Sequence, residues 1–330
     1  MLFDTSEFKS LFNQELLNKI RNKRNWATEL SGLLHCSVSS IYKKTQQDSF
    51  FSLEEMLFLI NYYSIDIKKV FTNDIGIVQF NVPSIKHPIN NIDDYLNRLN
   101  STFKGLGQDQ KATVYYATRE LPFFYYFLKP ELTYFKLFIF AKSIWKLEHF
   151  VNSTFSIALF DDNVQIKCNK LWENYSKLLS IEYWNTKILD TTLQQIFYYY
   201  ETGDLTMEDA LKILATLEEL NKELKNMTMA NSKNPNIQNN FKLYENKIIH
   251  TSNHVLVKTE KKSGIYLAFD NPNFIYSDDP DFIKYSENWY QNIEDSSYLL
   301  GRGSGHQTAM FFNYLSKKIE QLANRIKSRF

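Results

Sequence analysis

The stretch Trp26-Ala-Thr-Glu-Leu-Ser-Gly-Leu-Leu-His-Cys-Ser-Val-Ser-Ser-Ile-Tyr-Lys-Lys-Thr45, with Ser52-Leu-Glu-Glu55 after it, decides how the chain begins to fold. Leu30, Leu33, Leu34, Cys36 and Ile41 are spaced to share the inner side of two short helices. The pattern predicts one helix from about Trp26 to Leu34 and a second from about Val38 to Gln46, with Ser37 as its N-cap. So short a gap makes the pair a helix-turn-helix. Ser52-x-x-Glu55 is a capping box, which starts a further helix running to about Tyr63.

Upstream, Asp4 and Glu7 open a helix whose apolar residues Phe8, Leu11, Phe12, Leu16 and Ile20 recur at helical spacing. Downstream, Ile65 to Phe71 reads as a short fifth helix, completing a five-helix head over residues 1–72. Pro83, Pro88 and a short strand at Ile77 to Val82 mark residues 73–91 as a linker. From Ile92 the pattern is helical again: Tyr95, Leu96, Leu99 and Phe103 form one stripe. Leu193, Ile196, Phe197 and Tyr200, broken at Gly203 and resumed at Leu211, Leu214, Leu217 and Leu224, form an αα-hairpin. Residues 92–230 are therefore expected to be a helical region. Residues 231–330 are expected to be α+β: a small antiparallel sheet from Lys242 to Ile249, His254 to Lys258 and Ile265 to Phe269, then helices over about Asp279 to Asp295 and Gln307 to Arg329. The expected fold class is mainly α with a small α+β C-terminal part.

Composition limits the function classes. The chain has 330 residues, 44% of them apolar, enough for a sizeable core in more than one domain. Its 38 basic and 37 acidic side chains leave no global electrostatic signature of a polyanionic partner, so any such charge must be local. Residues 1–50 carry seven basic and five acidic side chains, a small positive excess. Cys36 and Cys168 lie too far apart in sequence to suggest a disulfide framework, and the N-terminal residues lack a basic leader with an apolar core, which reads as a cytoplasmic protein. The apolar stretch from Leu121 to Leu147 is interrupted by Lys129, Glu131, Lys136, Lys142 and Lys146, so no membrane span is expected.

With Ile41 pointing inward, the helical turn of about 100° per residue puts Ser39, Lys43 and Gln46 on the opposite side, flanked by Ser40 and Tyr42. Serine hydroxyls bond base edges or phosphates, a lysine reaches phosphate or guanine, and a tyrosine packs on sugar or a thymine methyl. Ala27 and Thr28, at the start of the preceding helix, can offer N–H groups and a hydroxyl to phosphate. Ser37, Val38 and Lys44 complete the candidate DNA-binding set.

At these residues the segment resembles the phage-repressor and Cro-like (XRE-type) DNA-binding domain, in the variant common in long regulators of Bacteroidetes-type bacteria. The likeness spans about residues 7–71 and rests on Leu30-Ser31, on Leu34 and Cys36 around the turn, on Ser37 opening the recognition helix, on Ile41-Tyr42-Lys43-Lys44, and on Ser52-x-x-Glu55. His35 and Gln47 stand where that family often has glycine. The remainder also looks like the sensor-like extension of such regulators, especially Ala117 to Phe124 and Glu131 to Lys136. The resemblance implies a transcription regulator that binds double-stranded DNA through its head, with a sensor-like region for an unknown small-molecule effector, and names no ligand; a homodimer is expected separately, because two heads on adjacent half-sites combine their affinities. An alternative reading is a protein-interaction module whose helical head docks a protein partner.

Phe124, Tyr125, Phe127, Tyr199 and Tyr200 are candidates to line an apolar ligand pocket, against the simpler reading that they are core. Other signals are weak. Gly301-Arg-Gly-Ser-Gly305 suggests a phosphate cradle, yet the pattern places a helix before it where a nucleotide fold needs a strand. His250 and His254 lack further ligands for a metal. No catalytic constellation is recognisable, so neither an enzyme nor a cofactor is expected.

Overall fold

The computed structural model describes residues 5–20, 23–46, 49–65, 67, 70, 78–106, 112–248, 253–260, 262–270 and 272–328. The chain forms two compact units, Met1–Val78 and Gln79–Phe330.

In the first unit, α1 (Thr5–Lys19), α2 (Trp26–Leu33), α3 (Val38–Thr45) and α4 (Leu53–Tyr63) surround Phe12, Leu16, Leu30, Ile41, Phe51 and Leu59. Each end is set by its own residues. Ser37 Oγ accepts the Ser40 N–H at 3.1 Å. At the start of α4, Ser52 Oγ accepts the Glu55 N–H at 3.2 Å and Glu55 Oε2 accepts the Ser52 N–H at 2.7 Å, the reciprocal capping box. Cross-links then join the helices: Asn13 Nδ2 donates to the Thr45 carbonyl at 3.0 Å, and the Tyr63 hydroxyl to Glu29 Oε1 at 2.6 Å. The expected fifth helix lies mostly outside the described residues; of it, Ile65, Ile67 and Val70 are described, with Ile65 and Val70 buried in this core. Gln47 lies outside them too.

The second unit contains α5 (Ile92–Leu106), β1 (Thr113–Thr118), α6 (Pro130–Ile139), α7 (Asp162–Lys177), β2 (Leu179–Trp184), α8 (Asp190–Glu201) and α9 (Met207–Ala230). It continues with β3 (Phe241–Glu245), β4 (His254–Lys258), β5 (Gly264–Asp270), β6 (Asn273–Ser277), α10 (Pro280–Asp295), β7 (Tyr298–Leu300) and α11 (Gly305–Lys327). The small antiparallel sheet expected near the C-terminus is instead a seven-stranded mixed sheet in the order β6-β5-β4-β1-β2-β3-β7. β1, β2 and β3 run parallel, and the other pairs are antiparallel. Its central strands β1 and β2 arise inside the stretch read as helical, so strands from both sides of residue 230 share one sheet. The physical reason is burial on both faces. Val114 and Tyr116 join the main helical core while Ala117 and Tyr183 pack under α10, which removes the polar alternation that marks a strand in sequence.

The result is a sheet with a thick helical layer on one face and α10 on the other. The hairpin of α8 and α9 turns at Gly203, whose φ of +78° suits a residue without Cβ. α9 continues to Ala230 and is closed by Asn231 in the left-handed conformation. On α11, Leu315, Ile319 and Ile326 are buried against the chain's own helices, α9 above all. The strand expected at Ile77 to Val82 reduces, over its described part, to an isolated bridge in which Asn81 and Tyr276 exchange backbone hydrogen bonds of 2.7 and 3.0 Å.

Candidate nucleic-acid interface and ligand cavity

The α2–α3 turn is made without glycine. His35 adopts φ +51°, costing about 1 kcal/mol for a residue with Cβ. Local bonds hold it: Ser31 Oγ donates to the Cys36 carbonyl at 2.6 Å, and the Cys36 N–H reaches the Ser31 carbonyl at 3.2 Å. Ile41 is fully buried, so α3 cannot rotate without expelling it, and Ser39, Tyr42, Lys43 and Gln46 are consequently exposed. Tyr42 packs edge-on against Trp26, with centroids 5.2 Å apart, and keeps 42% of its surface free.

Other candidates are placed differently. Ser37 commits its hydroxyl to the cap, Ser40 is half-buried, and Val38 is exposed at the first turn. Lys44 turns away from that face: its ammonium bonds both Glu55 carboxylate oxygens and lies 5.7 Å from the Phe51 ring centroid, tying α3 to α4. Burial alone would raise the Glu55 carboxyl, but Lys44 and the Ser52 N–H outweigh it and hold the pKa below the ordinary value. Ala27 has its side chain in the core and can contribute only its backbone N–H; Thr28 beside it is exposed. Asn25 makes no side-chain cap at the start of α2, leaving that helix end open toward a phosphate.

In the second unit, the five aromatics expected to line a pocket separate. Tyr125, Phe127 and Tyr199 are buried in the core, and Tyr200 packs half-buried against it. The Tyr199 hydroxyl is bonded to Ser143. Phe124 alone of the five borders a cavity of about 150 Å³ between α5 and the sheet. Tyr95, Arg98, Leu99 and Thr102 line it from α5, Val114 and Tyr116 from β1, Val255 and Val257 from β4, and Phe274 and Tyr276 from β6. A smaller void of about 20 Å³ shares Tyr95, Tyr116, Phe123, Pro272 and Phe274 with it and reaches the buried ion pair of Lys136 and Glu120, 2.9 Å apart. Lys136 Nζ also donates to Gln195 Oε1 at 2.8 Å, so that charge is fully engaged.

Next to the cavity stands a group whose importance the sequence does not announce. Glu182, on β2, is fully buried, and its Oε1 accepts from the hydroxyls of Tyr125 at 2.7 Å, Tyr175 at 2.6 Å and Ser180 at 2.9 Å. Its Oε2 accepts from Trp184 Nε1 at 3.0 Å. Burial first, and this carboxylate second, push the Tyr125 and Tyr175 phenols well above their ordinary range, so both remain donors. Lys233 Nζ is buried 3.8 Å from the Tyr175 ring centroid, with no hydrogen-bond partner among the described residues. Burial pulls its pKa down to about 7, with Glu182 pulling the other way. The one sequence signal for this cluster is an acid inside the apolar run Leu179-Ser-Ile-Glu-Tyr-Trp184.

The remaining sequence signals resolve structurally. A short strand, β7, and not a helix, precedes Gly301-Arg-Gly-Ser-Gly305, but the loop is filled from within. The Gly301 N–H donates to Thr308 Oγ1 at 2.8 Å, and Ser304 Oγ donates to the Leu299 carbonyl at 2.6 Å. Buried Glu245, bonded to Gln307, sets a negative charge beside it, which disfavours an anion. His250 lies outside the described residues. His254 packs at a tilt against Trp289 with centroids 4.5 Å apart, and its Nδ1 is 3.1 Å from the Tyr290 hydroxyl. Among the described residues, no group of three or more His, Cys, Asp or Glu is placed to hold a metal ion, and no helix is long and apolar enough to cross a membrane.

Comparison with family models, with curated proteins and with solved structures finds no match.

Proposed function

We propose that the protein is a sequence-specific, DNA-binding transcriptional regulator of the XRE-like helix-turn-helix kind, dimeric, with an effector-sensing second unit. One observation carries the reading: α3 has a single buried anchor, Ile41, and offers Ser39, Tyr42, Lys43 and Gln46 together on its outer side. An eight-residue helix set by a tight turn on a second short helix has the dimensions and chemistry for the major groove. Thr28 and the uncapped start of α2 supply phosphate contacts that fix orientation, and Lys43 supplies charge.

Dimerisation follows from energetics. One head with so few basic groups makes few phosphate contacts, whereas two heads on half-sites one helical turn apart gain affinity through effective concentration. The pairing surface is assigned to residues beyond Asn91.

Selection of duplexes from a random pool by the full chain tests the proposal. An enriched palindromic motif is expected. Uniform, strongly salt-sensitive binding, or none, contradicts it and favours a head that docks a protein.

A further inference from the structure

The cavity between α5 and the sheet has two properties that define an occupant. Its walls are almost wholly apolar, built of valine, leucine and aromatic rings. A dry cavity of about 150 Å³ lined this way takes a molecule the size of benzene. Its polar lining residues include Thr102, Asn273 and Arg98, a half-buried residue of α5 whose hydrogen bond to His87 lies on the solvent side. The guanidinium gives one N–H to the His87 carbonyl and makes no ion pair with any described residue. An arginine carries five N–H donors in a planar fork suited to a carboxylate, so most of that capacity remains for a ligand.

We propose that this cavity binds a small organic acid whose body is one aromatic ring or a short aliphatic chain, the body seated among Leu99, Val114, Val257 and Phe274 and the carboxylate on Arg98. The inner end does not compete for the charge. Lys136 is already neutralised by Glu120, and the Tyr116 hydroxyl donates to Asn253 Oδ1 at 2.9 Å. The anionic group therefore faces the mouth and the apolar end enters first. The size of the cavity suits one ring or a short chain better than a fused polycyclic body, and Arg98, the one cation among the described lining residues, discriminates against amines of the same shape.

This assignment names the effector chemistry within the regulator reading, yet it is tested without DNA. Isothermal titration calorimetry of the full chain with benzoate, hexanoate, benzyl alcohol and benzylamine separates the contributions. Saturable one-to-one binding of benzoate or hexanoate is expected, with the alcohol at least about tenfold weaker and the amine weaker still. Arg98→Gln, at a half-buried position outside the core, should weaken the acids about ten- to a hundredfold and leave benzyl alcohol unchanged. Val257→Phe, which fills the void, should abolish binding of all four. The proposal is overturned if neither acid binds, if alcohol and acid bind alike, or if Arg98→Gln leaves acid affinity unchanged. A chain that takes the acids but selects no duplex refutes the regulator reading alone; one that selects a motif but ignores the acids refutes this assignment alone.

Discussion

Replacing Glu182 by Gln exchanges one oxygen for an NH₂ group at the centre of the larger unit, and its cost can be worked from the bonds present. The carboxylate accepts four hydrogen bonds, three at Oε1 and one at Oε2, with no exposure to water. A glutamine that keeps its oxygen toward the three hydroxyls must aim its amide N–H₂ at Trp184 Nε1, donor against donor. One buried donor left unsatisfied costs about 1–3 kcal/mol, and each remaining bond loses roughly 1 kcal/mol as its acceptor becomes neutral. Removing a buried charge returns part of that, because the carboxylate's desolvation penalty disappears with it. The balance is a loss of about 3 kcal/mol, or some 6–12 °C in the melting temperature of a unit this size. Differential scanning calorimetry at neutral pH measures it. Glu182→Leu, which leaves all four donors without an acceptor, should fall further. A Glu182→Gln melting temperature within about 2 °C of the parent, or above it, would refute the claim that this network is satisfied through the charged carboxylate.

Two further outcomes follow from buried groups and caps. Lys233 has a folded-state pKa near 7, below its value in the unfolded chain, so the penalty for its burial is complete below about pH 7 and fades as pH rises toward ~10.4. Lys233→Met should therefore stabilise the protein by about 1–3 kcal/mol at pH 6, with a gain that shrinks steadily above neutrality in urea titrations; a pH-independent effect would contradict this. Ser52→Ala removes one half of the capping box and should cost about 1 kcal/mol, read as faster hydrogen exchange of the α4 amides with the second unit unaffected.

The head was legible because its signals are local. Ser37 with Ser40, and Ser52 with Glu55, are separated along the sequence by the same three-residue step that brings cap and amide together in space, and Ile41 declares the inward side of α3 by itself. β1 and β2 were hidden for the opposite reason. Thr113-Val-Tyr-Tyr-Ala-Thr118 and Leu179-Ser-Ile-Glu-Tyr-Trp184 are covered on both faces, and their parallel pairing joins residues more than sixty positions apart, such as Tyr116 with Glu182. The cavity was illegible too, since its walls come from separate elements and Phe124 alone among the expected pocket residues reaches it. Tyr125 and Tyr199 carried the aromatic signature of a pocket, but their rings are buried in the core and their hydroxyls are bonded to Glu182 and Ser143. Lys44 shows the limit of reading a helix face by angle. It neighbours Lys43 in sequence, yet the Glu55 carboxylate draws it to the inner side.

The central claim is that Ser39 and Lys43 of α3 read the duplex. The most direct measurement is binding of the Ser39→Ala, Lys43→Ala double variant to the sequence enriched by the parent protein, over a range of salt concentrations and with unchanged circular dichroism as proof of folding. Affinity for that sequence is expected to fall about ten- to a hundredfold or more, with a log–log salt slope shallower by about 0.9 for each phosphate that Lys43 no longer neutralises. Unchanged affinity together with an unchanged sequence preference would contradict the account.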